Sequence, residues 1–273
     1  MGDDGIRGPA DEDREVLHGG VANAGQVLRI GDVVERPANR HSASVHRFLG
    51  ALHEQRFDGV PEPLEVRDGR ERLRFVPGQV AVTPFPEWVQ TDECLVSTTS
   101  LIARFHAASS HAGLLSDELW SDELADPLGG PIVCHNDVCW ENVVFRDGRA
   151  VALLDFDFAA PGRPLYDLAQ FARMCVPVDD DVNAWRLGWA SADRPARLRL
   201  VCDTYGVDAA GRAVVLQVLD HTIEQGGEFV LRHVQAGDPG FVQMWHDMGG
   251  MERFDRRRDW WTRSRAAFRA ALT

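Results

Sequence analysis

The stretch from His135 to Asp157, HNDVCWENVVFRDGRAVALLDFD, constrains this chain more than any other. Asp147-Gly148 between two apolar runs signals a tight two-residue hairpin turn, because both central residues of such a turn take positive φ. The flanks then pair Arg146 with Arg149, Phe145 with Ala150, Val144 with Val151, Val143 with Ala152 and Asn142 with Leu153. Side chains alternate faces along a strand, so Asp155 shares the face of Leu153 and hence of Asn142. The two become diagonal neighbours with Cβ atoms roughly 7 Å apart. A cation such as Mg²⁺, held about 2.1 Å from each ligand oxygen, spans that gap. Asp137 lies on the loop entering the hairpin, where a carboxylate can orient a hydroxyl or accept its proton. His135 is a second candidate in that loop, better suited to anchoring it on a backbone carbonyl than to acting as a base. Asp and Asn favour turns on their own account. The pattern H-x-D-x-x-x-x-N, a hairpin and then LLDFD is far more specific than any one of them.

Upstream, short strand-like runs (EVLHGG, QVLRIGD and VVERP) are punctuated by Gly and stopped by Pro37. SASVHRFLGALHEQRF reads as a helix capped by Ser42 or Ser44, with Val45, Phe48, Leu49 and Leu52 on one face. PLEVRDGRERLRFVPG gives two more strands around Asp68-Gly69. After Gly78 the character turns helical: DECLVSTTSLIARFHAASS, with Leu101, Ile102, Phe105 and Ala108 on one side, then PLYDLAQFARM. A long helix follows over GRAVVLQVLDHTIEQGGEFVLRHVQ, with a bend expected at Gly226-Gly227, and RRRDWWTRSRAAFRAAL closes the chain. Trp185 and Trp189, at i and i+4, read as one helix face. The expected division is a tail over residues 1–14, a sheet-rich lobe over 15–78 and a helical lobe over 79–273.

The formal net charge of −13 argues against nucleic acid as a partner, since phosphates require a basic face. The five cysteines form no C-x-x-C pair, which suits free thiols in a reducing compartment. No apolar run reaches the length of a membrane span, and the acidic start lacks the apolar stretch of a signal peptide. A cytoplasmic protein without membrane attachment, monomeric or homodimeric, is expected. All 29 basic residues are Arg.

HNDVCWEN, LLDFDFA and GRPLYDLA together resemble the aminoglycoside phosphotransferase and choline kinase family, which shares the protein-kinase-like fold. LRFVPG and LIARFHAASS look like that family's hinge strand and the helix after it. The resemblance implies an α+β, two-lobed fold with a small antiparallel sheet and a larger helical lobe. It implies an enzyme moving the γ-phosphate of ATP or GTP, with Mg²⁺, to a hydroxyl. By it, Asp137 is the catalytic base, Asn142 and Asp155 hold Mg²⁺, and Asp167 braces the catalytic loop. Asp157 approaches metal or substrate, or points into the lobe. Phe75 and Val76 on the hinge strand fall to the nucleotide. The family commonly places a Lys on the third strand for the phosphates, paired with a helix Glu. Here the strand is VVERP, so Arg36 takes that place, and a one-residue shift would turn Glu35 inward instead. Glu54 sits late in its helix for the partner, and His46 holds a more central position. HGGVANAG is the candidate loop over the phosphates.

The acceptor is less constrained. An aminoglycoside-like antibiotic needs an acidic cleft, for which Asp157, Asp179, Asp180, Asp181, Glu224 and Glu228 are candidates. The Arg-rich end of the chain would oppose such a polycation. A choline-type amino alcohol needs an aromatic cage, for which Trp245, Phe254, Trp260 and Trp261 are available. A kinase-like nucleotide sensor without activity is the third reading, supported by the missing Lys.

Overall fold

A computed structural model of the chain describes residues 14–17, 25–113 and 118–273. The expected phosphate loop HGGVANAG, apart from Gly25, lies outside the described residues, as do residues 1–13 of the tail.

Five strands build the first sheet: β1 (Arg14–Val16), β2 (Leu28–Ile30), β3 (Val33–Pro37), β4 (Pro63–Arg67) and β5 (Arg70–Arg74). They lie antiparallel in the order β1-β2-β3-β5-β4. The turn from β4 to β5 has φ of 51° at Asp68 and 72° at Gly69. Two successive positive φ values are what Asp-Gly tolerates and most residue pairs do not. Between β3 and β4 runs α1 (Ser42–Glu54), which buries Val45, Phe48, Leu49 and Leu52. Neither serine caps it. Ser42 Oγ accepts from the Asn39 amide at 3.0 Å, and Ser44 Oγ accepts from the Leu119 amide at 2.9 Å.

The chain leaves the sheet through a close passage. Gln79 and Phe145 exchange two backbone hydrogen bonds of 2.8 Å each. Gly78 there has φ of 154°, and a Cβ on it would lie 2.4 Å from Val144 Cγ1 and 2.6 Å from the Phe145 carbonyl. Only glycine lets the joint lie so tightly on the second region.

That region is mainly helical. α2 (Asp92–Ala112) starts where the Thr91 hydroxyl accepts from the Cys94 amide at 3.2 Å, a cap worth about 1 kcal/mol. It buries Leu101, Ile102 and Phe105, while Ala108 is only partly covered. Four short strands follow: β6 (Ile132–Cys134), β7 (Val143–Arg146), β8 (Arg149–Leu153) and β9 (Ala160–Gly162). β6 pairs with β9 and β7 with β8. The remaining helices are α3 (Pro164–Cys175), α4 (Asp181–Arg186), α5 (Arg194–Tyr205), α6 (Ala209–Ala236), α7 (Pro239–Met248) and α8 (Gly250–Leu272).

Two further expectations are corrected here. α6 is one unbroken helix through Gly226-Gly227. The pair serves close approach instead: a Cβ at Gly226 would lie 3.5 Å from Arg173 Nη1, and one at Gly227 would lie 3.0 Å from Phe254 Cδ1. Trp185 and Trp189 do not share a face, because α4 ends at Arg186, leaving Trp185 77% exposed and Trp189 6% exposed. Among the described residues, no helix is long and apolar enough to cross a membrane.

Candidate active site

The site grows from the β7–β8 hairpin and the loop before it. The turn is as expected, with φ of 49° at Asp147 and 72° at Gly148. The register is not. A bulge leaves Val151 without a partner, so Val144 pairs with Ala152 and Val143 with Leu153. The Leu154 amide then donates to the Asn142 carbonyl at 2.8 Å. Asn142 closes a 3₁₀ turn over Trp140–Asn142, and Asp155 has φ of 63°, so neither follows strand alternation. A positive φ at a non-glycine residue is costly and concentrates at functional sites.

Asn142 donates from Nδ2 to the Asp137 carbonyl at 2.9 Å and to Asp137 Oδ2 at 3.1 Å. That orientation turns its amide oxygen away from Asp137. The loop carrying Asp137 is held from behind by Asp167, fully buried on α3. Its carboxylate accepts from the amides of His135 and Asn136 at 2.8 Å each, and from His106 Nε2 at 3.0 Å. Burial works against that carboxylate, but the His106 hydrogen bond and charge hold it below the usual carboxylate range. His106, on α2, is backed by the Tyr205 hydroxyl at 2.7 Å.

His135 is tied into the loop through both ring nitrogens. Its Nε2 donates to the Leu154 carbonyl at 2.7 Å, and its Nδ1 accepts from the Asp137 amide at 3.3 Å. Burial also depresses its pKa. Neither ring nitrogen is left to take a substrate proton.

Arg36 settles the register of β3. It lies opposite Glu71 and is 8% exposed, with its side chain turned inward. Glu35 faces outward, taking hydrogen bonds from Arg70 at 3.1 Å and Arg72 at 2.7 Å. The Arg36 guanidinium binds three carboxylates: Glu71 at 2.7 Å, Asp155 at 2.7 Å and Asp157 at 2.6 Å. Glu71 also accepts from His46 Nε2 at 3.0 Å. The expected helix glutamate is therefore absent from its place. Glu54 is exposed, and the acid comes from β5, tied to α1 through His46. Sequence reading missed Glu71, although its place opposite Arg36 follows once the strand register is known.

The cluster is rich in negative charge. Burial and the Asp155 charge push Asp137 up to about 8, against the opposing Arg173 charge. Burial and Asp155 likewise push Asp157 up to about 7. Asp155 itself, despite burial, is held low by the charge and hydrogen bond of Arg36. Carboxyls raised this far signal a site short of positive charge, which a divalent cation would supply. The donor set, a carboxylate with an amide oxygen, is of the hard-oxygen kind that Mg²⁺ takes.

Phe75 and Val76 follow β5 and are half-buried, with the Phe75 ring 3.8 Å below the Arg29 guanidinium. The acceptor candidates are not brought together. Asp179 is bound by Arg257 at 2.8 and 2.7 Å, Asp180 caps α4 and meets Arg256 at 3.3 Å, and Asp181 meets Arg194 at 2.9 Å. Glu224 and Glu228 are exposed on α6. The aromatic set also splits. Trp245 packs on Phe254, while Trp260 and Trp261 pack on Phe268. The Phe254 ring already faces Arg253 and Arg257, each 5.6 Å away.

A small sheet domain with a charged strand, joined to a helical domain that carries an Asp–Asn–Asp hairpin, is the plan of the kinase-like phosphotransferases. The chain belongs to the phosphotransferase enzyme family, APH, whose pattern matches residues 24–201. It is 30% identical over 192 residues to a trifolitoxin immunity protein of Rhizobium leguminosarum bv. trifolii, covering 68% of this chain and 72% of that one. Its fold is similar to that of a choline/ethanolamine kinase family protein from Mesorhizobium loti. That likeness has a TM-score of 0.61 at 19% identity, covering 96% of this chain and 94% of the other. It is also similar to the amicoumacin kinase hAmiN, solved with AMP-PNP, Ca²⁺ and Ami. There the TM-score is 0.58 at 11% identity, covering 87% of this chain and 88% of the other. The α+β, protein-kinase-like fold expected from the sequence is thus the fold of the chain.

Proposed function

We propose that this chain transfers the γ-phosphate of ATP or GTP to a hydroxyl group of a small molecule of the antibiotic or toxin class. The observation that carries the reading is the convergence of Asp137, Asn142 and Asp155 at one mouth, with Arg36 reaching it from the sheet. The immunity protein among the relatives supports a toxic acceptor. The split aromatics speak against a choline-type cage.

In this reading Asp137 takes the proton of the acceptor hydroxyl as that oxygen bonds to the γ-phosphorus. The bond from that phosphorus to the bridging oxygen breaks, and ADP or GDP leaves with the electron pair. Asp155 and the amide oxygen of Asn142 would hold Mg²⁺, which when bound neutralises charge on the phosphates. Arg36 turns from its carboxylates toward those phosphates, a grip that guanidinium geometry suits. Phe75 and Val76 line the nucleotide side. Asp167 and His135 keep Asp137 in place.

A coupled ADP- or GDP-release assay with Mg·ATP and Mg·GTP, run over hydroxylated antibiotics and amino alcohols, tests the proposal. Acceptor-stimulated release that disappears in Asp137→Asn is the expected result. Nucleotide binding without release for any acceptor would favour the sensor.

A further inference from the structure

A second cluster, of the opposite sign to the acidic mouth, stands on α3 and α8. Tyr166, Gln170 and Arg173 form one face of α3 against α6, where the Tyr166 hydroxyl donates to Gln225 Oε1 at 2.6 Å. Arg173 fits beside Gly226, and Gly227 next to it receives the Phe254 ring. Arg253 and Arg257 of α8 flank that ring. The glycine pair thus seats Arg173 and, next to it, the Phe254 ring with Arg253 and Arg257 beside that ring on one stretch of α6. α3 also carries this cluster close to the catalytic loop: Cys175, two residues past Arg173, has Sγ 4.0 Å from the Val138 carbonyl.

The counter-charges do not suffice. Asp179 is taken by Arg257 in a two-toothed pair, and Asp180 with Glu252 by Arg256. Among the described residues, Arg173 and Arg253 have no carboxylate within ion-pairing distance, and Arg173 donates only from Nε to Gln170 at 3.3 Å. The buried Arg253 Nε and Arg256 Nη2 have no partner. Both free arginines are half-buried, so water does not fully solvate them. Burial and the neighbouring arginine charges push both down to about 10. Half-buried cations without a carboxylate partner are costly unless an anion arrives.

We propose that Arg173 and Arg253 form an anion subsite on the acceptor side of Asp137, so that the phosphorylated molecule carries a carboxylate or phosphate group beside its hydroxyl. The inference rests on the phosphotransferase reading and specifies its acceptor. It explains why no acidic cleft and no aromatic cage assemble here. The guanidinium forks suit planar carboxylates and phosphates alike.

Calorimetry on the full chain, saturated with Mg·AMP-PNP, separates these sources. The probes are 4-hydroxybutyrate against 4-hydroxybutanamide, and glycerol 3-phosphate against glycerol. At least one charged probe should bind about ten- to a hundredfold tighter than its neutral counterpart, as loss of a charged hydrogen bond implies. Which pair discriminates names the anion. Arg173→Met and Arg253→Met should each erase most of that preference, and Arg173→Lys should keep part of it, with circular dichroism confirming the fold. Equal binding within both pairs, no binding of either charged probe, or a preference that survives both Met variants overturns the subsite. The AMP-PNP titration beforehand judges the phosphotransferase reading separately. If nucleotide fails to bind, that reading falls, and the same probe pairs without nucleotide still decide the anion subsite.

Discussion

Two charged clusters of this chain are unbalanced in opposite directions. Around Arg36, one guanidinium serves Glu71, Asp155 and Asp157. Around Arg173 and Arg253, the nearby acids are already spent on Arg256 and Arg257. Beside the first, burial and carboxylate charge push Asp137 and Asp157 up; in the second, burial and arginine charge push Arg173 and Arg253 down. A structural ion pair would be closed and neutral, with burial repaid by its own partner. On the proposed reading, each cluster lacks the charge that its ligand would bring: a cation with phosphates at the first, an anionic acceptor at the second.

The largest expected effect is at Asp137. Asp137→Asn should lower acceptor-stimulated turnover by about 10²- to 10⁴-fold, the usual worth of a general base, while leaving thermal stability near or above the parent value. A parent-like rate would remove Asp137 from its role and detach both clusters from the reaction.

Arg36→Met probes the acidic side alone. It leaves three carboxylates without their shared cation and should cost about 3 kcal/mol of stability when divalent ions are absent. Mg²⁺ should then raise the melting temperature more in the variant than in the parent, because Arg36 no longer competes for Asp155. Identical Mg²⁺ responses would mean that Asp155 does not hold the ion.

Asp179→Asn probes the basic side, adding one more unpaired arginine, and should also cost about 3 kcal/mol. Burial would raise the Asp179 carboxyl, but the Arg257 charge and hydrogen bonds hold it below the ordinary carboxylate value. Its contribution is therefore present above the unfolded pKa of about 4 and is lost as pH falls through the depressed folded value. Denaturant unfolding from pH 7 downward should show a flatter acid limb in the variant.

His46→Ala should have a moderate effect, since it removes one hydrogen bond behind Glu71, worth about 1 kcal/mol. Nucleotide KM should rise several-fold with kcat little changed, as expected for a positioning residue. Smallest of all, Glu224→Gln and Glu228→Gln should leave acceptor KM within about twofold, as exposed charges away from the reacting groups do. A large loss there would restore the cationic acceptor and break the contrast between the clusters.

Local chemistry made much of the site legible in the sequence. Asp147-Gly148 and Asp68-Gly69 specify hairpin turns because few other pairs accept two positive φ values. The apolar stripe of α1 announced its buried face, and the spacing of Asp137, Asn142 and Asp155 around one hairpin marked the mouth. Other features depended on contacts distant in sequence. The bulge at Val151 shifted the register, because a two-residue periodicity cannot reveal one inserted residue. The inward turn of Arg36, and its acid coming from Glu71 on the neighbouring strand, were fixed only when β5 paired with β3. The fate of Asp179 and of the Trp245, Phe254, Trp260 and Trp261 set was decided by the packing of α8. So the sequence by itself determined most elements, the turns and the candidate residues of the site, whose requirements are local. Only the tertiary structure decided which charges neutralise one another and which are left for a ligand, because that balance depends on distances between elements far apart in the chain.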